Sequence, residues 1–77
     1  MLLNELVKHE IGLVNIPLDI NYLAQDDDGE VHGYIGIPVL QYGGNTYTTW
    51  CDSGGYDQFL VGTYPLADDF NQDYFIV

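Results

Sequence analysis

The side chains capable of chemistry in this chain are nearly all carboxylates. Asp26-Asp27-Asp28-Gly29-Glu30 places four acids in five positions, and two histidines, His9 and His32, stand apart from one another. An acidic loop around a glycine suggests calcium. The EF-hand template, however, wants an acid at position 1, Gly at position 6 and Glu at position 12. With Gly29 in the sixth place, Ala24 takes the first and Ile35 the last, so the template fails. A solvated hairpin tip is the better reading of these acids. The histidines have no Cys or His partner at zinc-ligand spacing and no Cys-x-x-Cys exists, so the sequence implies no metal centre.

Asp52-Ser53-Gly54-Gly55 is similar to four of the five residues around the nucleophile of chymotrypsin-type serine proteases, with Cys51 where the first Gly would stand. A chain of 77 residues cannot build the two barrels that assemble that triad. Asp, Ser and Gly are also ordinary turn residues. Cys51, in a β-branched and aromatic run, reads as a small buried hydrophobe rather than a nucleophile. No Gly-rich phosphate loop is present, and a paired-carboxylate hydrolase needs a cleft that so small a domain can hardly enclose. The expectation is a protein without catalysis and without a cofactor.

What remains is charge. Twelve acids face one basic side chain, Lys8, for a formal net charge of −11. The acids repel one another and surround the chain with negative potential. DNA, RNA and anionic membranes carry the same sign, so neither direct nucleic-acid binding nor membrane binding is expected. A basic protein site is the favoured partner, and a homodimer is left open. Solubility or adaptation to high salt would also produce an acidic chain. The composition is not that of a disordered acidic tail, because 47% of residues are hydrophobic, with 7 Tyr and 3 Phe. A single cysteine excludes an intrachain disulfide scaffold. The first residues, Met1-Leu2-Leu3-Asn4-Glu5, lack the basic start of a signal peptide, and no apolar run approaches the ~20 residues that span a bilayer. The cytoplasm is the expected location, that of a host cell if the protein is phage-encoded.

The elements that must position these acids can be read from periodicity. Residues 2–11 form a short helix on the spacing of Leu3, Leu6, Val7 and Ile11, stopped by Gly12. Residues 14–24 alternate, with Val14, Ile16, Leu18, Ile20 and Tyr22 against Asn15, Pro17, Asp19 and Asn21. That is a half-buried strand, and Pro17 makes it an edge, with Asp19 on its wet face. Asp26–Gly29 turns the chain into a return strand over 30–41, bent at Gly33, Gly36 and Pro38. Gly43-Gly44-Asn45 turns again, 46–51 is a strand, 52–55 a turn and 57–64 a strand. Asp68-Asp69 caps a short helical turn, and Tyr74–Val77 adds a last strand or packed tail. The predicted fold is a single α+β domain over 1–77, its N-terminal helix packed on a 4–5-stranded antiparallel β-meander.

On these elements the sequence resembles the small acidic phage inhibitors of uracil-DNA glycosylase, which are DNA mimics. Leu3-Asn4-Glu5-Leu6-Val7-Lys8-His9-Glu10-Ile11-Gly12 is similar to their amino-terminal helix and its glycine stop. Ile16-Pro17-Leu18-Asp19-Ile20 is similar to their acid-bearing edge strand, and Glu30-Val31 with Tyr34-Ile35-Gly36 to the segment that follows. Leu23-Ala24-Gln25-Asp26-Asp27-Asp28-Gly29 resembles the hairpin of a second, smaller inhibitor of the same enzyme. The resemblance implies that Asp19 is the key edge-strand acid. Leu18 and Ile20 stand where the family has Gln and Ser, and the family's second helix is not visible. Anti-CRISPR and antirestriction proteins that occupy a basic DNA-binding channel share the same general features.

Same-face side chains on a strand recur every ~6.6–6.8 Å, so carboxylates on a β scaffold can present a row of negative points that imitates a phosphate backbone. The expected partner-binding acids are Asp19, Asp26, Asp27, Asp28, Glu30, Asp52 and Asp57. Tyr22 and Tyr34, with Tyr42 and Tyr56 as further candidates, would add apolar contact, since Tyr is enriched in binding hot spots. The reading of a different class is a structural or adaptor module that imitates nothing.

Overall fold

A computed structural model describes residues 1–43 and 47–77. The chain opens with helix α1 (Leu3–Leu6), which continues as a π-helical turn over Val7–Ile11. Leu3, Leu6, Val7 and Ile11 are buried, as their spacing requires. Two acids complete the exposed N–H groups at the helix start. The Leu2 N–H donates to Glu5 Oε1 at 2.8 Å, and the Leu3 N–H donates to Asp69 Oδ1 at 2.7 Å, 66 positions away in sequence. Gly12, at φ +81°, ends the helix in a conformation that disfavours any Cβ, as the sequence predicted.

The alternating stretch 14–22 is not a strand, which corrects the sequence reading. Leu13–Asn15 is a 3-10 turn, the Ile20 N–H donates to the Pro17 carbonyl, and the first strand, β1, begins only at Tyr22 and runs to Gln25. Ile16 and Ile20 are buried, whereas Val14 and Leu18 are fully exposed. Two isoleucines four positions apart thus anchor an irregular connection over the sheet. Ile20 seats directly on Gly33, where an added Cβ would stand 2.8 Å from its Cγ2. A side chain at position 33 would push the anchor off the sheet.

The Asp-Gly turn does make a hairpin. β1 pairs with β2 (Glu30–Tyr34), Gln25 opposite Val31 and Tyr22 opposite Tyr34. The expected return strand over 30–41 is interrupted at 35–37. Its second half is a separate strand, β3 (Pro38–Gly43), paired with β4 (Tyr47–Asp52) as a two-stranded ribbon. The turn expected at Gly43-Gly44-Asn45 and the start of the next strand at Thr46 lie partly outside the described residues. β5 (Phe59–Thr63) returns to pair with β2, with a bulge between Val31 and His32, and β6 (Phe75–Ile76) pairs with β1. The main sheet therefore has the order β5-β2-β1-β6. The fold class is α+β with antiparallel strands, as expected.

Strand alternation sends side chains to two separate cores. Leu23 and Val31 face the helix and the Ile16/Ile20 connection, joined by Ala67, Val61, Tyr64, Phe70 and Phe75. Ala24 and Tyr34 face the ribbon, where Trp50, Leu40, Tyr22 and Tyr74 close the second core. Gln25 is fully buried beside the first core and fastens the 64–67 segment. Its amide nitrogen donates to the carbonyls of Gly29, Tyr64 and Pro65, and its oxygen accepts the Ala67 N–H at 2.9 Å. A buried amide so thoroughly paired stabilises a segment that has no strand or helix of its own. Among the described residues no helix is long and apolar enough to cross a membrane.

The revised connection separates two substitutions that a half-buried strand would treat alike. Ile20→Ala is expected to cost about 2–5 kcal/mol in urea unfolding. Leu18→Ala is expected to stay within about 0.5 kcal/mol of the parent. Equal losses at both positions would restore the strand.

Candidate functional site

The β1–β2 hairpin gathers four of the expected acids at one end of the sheet. The Asp26 N–H donates to the Glu30 carbonyl and the Gly29 N–H to the Asp26 carbonyl, which closes a tight turn. Asp28 Oδ1 accepts the Glu30 N–H at 3.0 Å. These bonds fix Asp28 and Glu30 side by side. The hydrogen bond with Asp28, followed by the repulsion of its charge, holds the Glu30 carboxyl above its ordinary range. Asp28 is exposed, and Asp27 and Glu30 are half-buried. This tip is the densest ordered group of acids in the described structure.

Asp26 belongs to the same turn but points inward. Its Oδ1 accepts the Trp50 N–H at 2.9 Å and its Oδ2 lies 3.6 Å from His32 Nδ1. It therefore ties the hairpin to the ribbon. Burial pushes its carboxyl above the ordinary value, a trend that the Trp50 N–H and His32 oppose. His32 Nδ1 is buried with no hydrogen-bond partner, because 3.6 Å is too long for one. Asp52 is likewise structural. It is buried, its Oδ2 accepts the Gly36 N–H at 2.8 Å, and its Oδ1 accepts the Gly54 N–H at 2.7 Å. One carboxylate thus fastens the β2–β3 crossover to the turn after β4. The Asp-Ser-Gly-Gly stretch has this structural role, as its turn composition suggested.

The remaining expected residues are dispersed. Asp19 is exposed, but in the turn before Ile20 rather than on an edge strand, because β1 begins only at Tyr22 and is flanked by β2 and β6. Asp57 is exposed in the approach to β5. Glu30 lies opposite Thr63 and Gly33 opposite Phe59. Asp57 therefore stands at the far end of the β2–β5 pair, roughly 15–20 Å from the hairpin tip at the rise of a strand. Tyr22 is half-buried against Tyr74, ring centroids 5.5 Å apart and edge to face. Tyr34 is fully enclosed and its hydroxyl donates to the Trp50 carbonyl at 3.2 Å. Burial raises its phenol well above the ordinary range. Tyr34 thus serves the second core. The Tyr42 side chain lies outside the described residues, and Tyr56 is exposed.

Sequence reasoning missed the apolar component of this surface. Phe59 and Leu60 are 44% and 51% exposed on β5, an outer strand of the main sheet, directly after Asp57. The signal was available: adjacent apolar residues in a strand point to opposite faces, so one core cannot bury both. Among the described residues no group of three or more His, Cys, Asp or Glu side chains is placed to hold a metal ion. No family model matches this chain, and no curated protein or solved structure matches it either.

The burial of Asp26 has a pH signature. Its folded-state pKa is raised, so near its ordinary value of 3.8 and somewhat above it the folded state binds the proton more tightly than the unfolded state does. Stability from this group therefore increases as pH falls towards that value and is lost as pH rises through the folded-state pKa. Asp26→Asn keeps an oxygen for the Trp50 N–H. Thermal unfolding between pH 7 and pH 4 should show a smaller acid-side stabilisation in this variant than in the parent. An unchanged pH profile would mean that Asp26 titrates as a surface acid.

Proposed function

We propose that this protein is an inhibitory DNA mimic, which occupies the basic nucleic-acid-binding site of a host enzyme in place of DNA. The observation that carries this reading is the fixed presentation of unbalanced charge. Glu10, Asp19, Asp28, Asp57 and Asp73 are exposed on a folded domain whose formal charge is −11 and whose one basic side chain is Lys8. Asp28 and Glu30 are held by a turn rather than left on a flexible tail. Such a surface steers a basic groove at high on-rate and gains from the counter-ions that both partners release. The partner is expected to be uracil-DNA glycosylase or a defence nuclease complex, with an anti-CRISPR or antirestriction action as the alternative within the same class. The protein itself then performs no catalysis.

A second reading has its own support. Phe59 and Leu60 on the outer strand β5 suit an adaptor that binds a protein surface through apolar contact. The two readings differ in salt dependence and in competition with DNA. Addition of the protein to a uracil-excision assay should abolish activity at stoichiometric amounts, and the inhibition should weaken as salt rises. The combined variant Asp28→Asn, Glu30→Gln and Asp57→Asn removes three of the −11 charges, leaving −8. It should slow association without lowering Tm. Full excision at excess protein removes the glycosylase version. A captured partner that duplex DNA does not displace favours the adaptor.

A further inference from the structure

A groove of about 200 Å³ lies where the start of α1 meets the C-terminal segment. Leu2, Leu3 and Asn4 form one side, and Asp69, Asp73, Tyr74 and Phe75 form the other. Its chemistry is specific. The 69–73 segment is a turn in which the Gln72 and Asp73 N–H groups both donate to the Asp69 carbonyl. That geometry brings two carboxylates at i and i+4 to the same side, where like charges repel. The Asp69 position is set by its bond to the Leu3 N–H, and the exposed Asp73 stands one turn on. Tyr74 is held edge to face against both Tyr22 and Trp50, at centroid distances of 5.5 and 6.1 Å, and Phe75 packs into the first core. The aromatic wall is therefore rigid. The Met1 ammonium is paired with Asp68 at 3.1 Å, and neither residue lines the groove.

Two carboxylates, an aromatic wall and a leucine floor suit a cation on an apolar stem. We propose that this groove receives an arginine side chain of the partner, an inference that rests on the basic-partner reading above. Arginine fits better than lysine, since its planar guanidinium can fork onto carboxylate oxygens and stack on an aromatic face at once. Its methylene stem covers Leu2, which is 47% exposed. The groove thus turns a diffuse attraction into a point of register, about which the acids elsewhere on the surface orient.

The test uses N-acetyl-arginine amide as the probe, with the neutral isostere N-acetyl-citrulline amide as its control. Millimolar arginine probe should shift the amide resonances of Leu2, Asn4, Tyr74 and Phe75 and leave the hairpin tip unmoved, while the citrulline probe leaves all of them in place. Asp73→Asn, at an exposed position, should keep the spectrum of the folded protein and weaken the probe about threefold, the size of one exposed ion pair. Shifts spread evenly over all exposed acids, an equal response to citrulline, or undiminished binding by the variant would overturn the proposal. The partner separates this inference from the reading it rests on. Equal capture of a DNA-displaceable partner by Asp73→Asn and parent would sink the groove and keep the mimic. Probe binding at the groove with no DNA-displaceable partner would do the reverse.

Discussion

With one lysine against twelve acids, the fold depends on main-chain N–H groups as counter-charges. Asp26 takes the Trp50 N–H, Asp52 those of Gly36 and Gly54, and Asp69 that of Leu3. Asp28 and Glu5 take those of Glu30 and Leu2. A hydrogen bond from a neutral amide to a carboxylate is charge-assisted and stronger than one between neutral groups. The first three acids also fasten segments beyond the strand ladders. Asp26 connects the hairpin to the ribbon, Asp52 the crossover to the turn after β4, and Asp69 the C-terminal segment to the helix. Acids that would otherwise only repel one another thereby become the fastenings between layers.

That division of labour explains how much of the molecule could be read from its sequence. The helix, its glycine stop, the Asp-Gly hairpin, the strand over 57–64 and the packed C-terminal tail follow from local periodicity and turn chemistry, and each is present. The alternation over 14–22 misled because Ile16 and Ile20, four apart, satisfy a period of two as well as they satisfy two isolated anchors. Only the contact of Ile20 with Gly33 decides between them. The roles of Gln25, Asp52 and Asp69 were not legible at all. Their partners are 16 to 66 positions away or are backbone groups without a side-chain signature.

The same division sharpens the functional picture. The expected binding set mixed fastenings with presented acids. Asp26, Asp52 and Tyr34 are committed inside the fold, whereas Asp19, Asp28 and Asp57 face solvent with Glu30 partly so. Charge on this protein is therefore not uniform in purpose. Part of it holds the layers together through main-chain amides. Other acids, Asp19 and Asp57 among them, are displayed to solvent from segments between the regular elements.

An alanine scan of the carboxylates, read as unfolding free energy at neutral pH, tests this division most directly. Asp26→Ala, Asp52→Ala and Asp69→Ala should each lose about 1–3 kcal/mol, because each strands buried or end-of-helix N–H donors. Asp19→Ala, Asp57→Ala and Asp73→Ala should be neutral or slightly stabilising, since each relieves repulsion and breaks no fastening. Uniform small gains at all six positions would contradict the account, because they would make every one of these acids a surface charge.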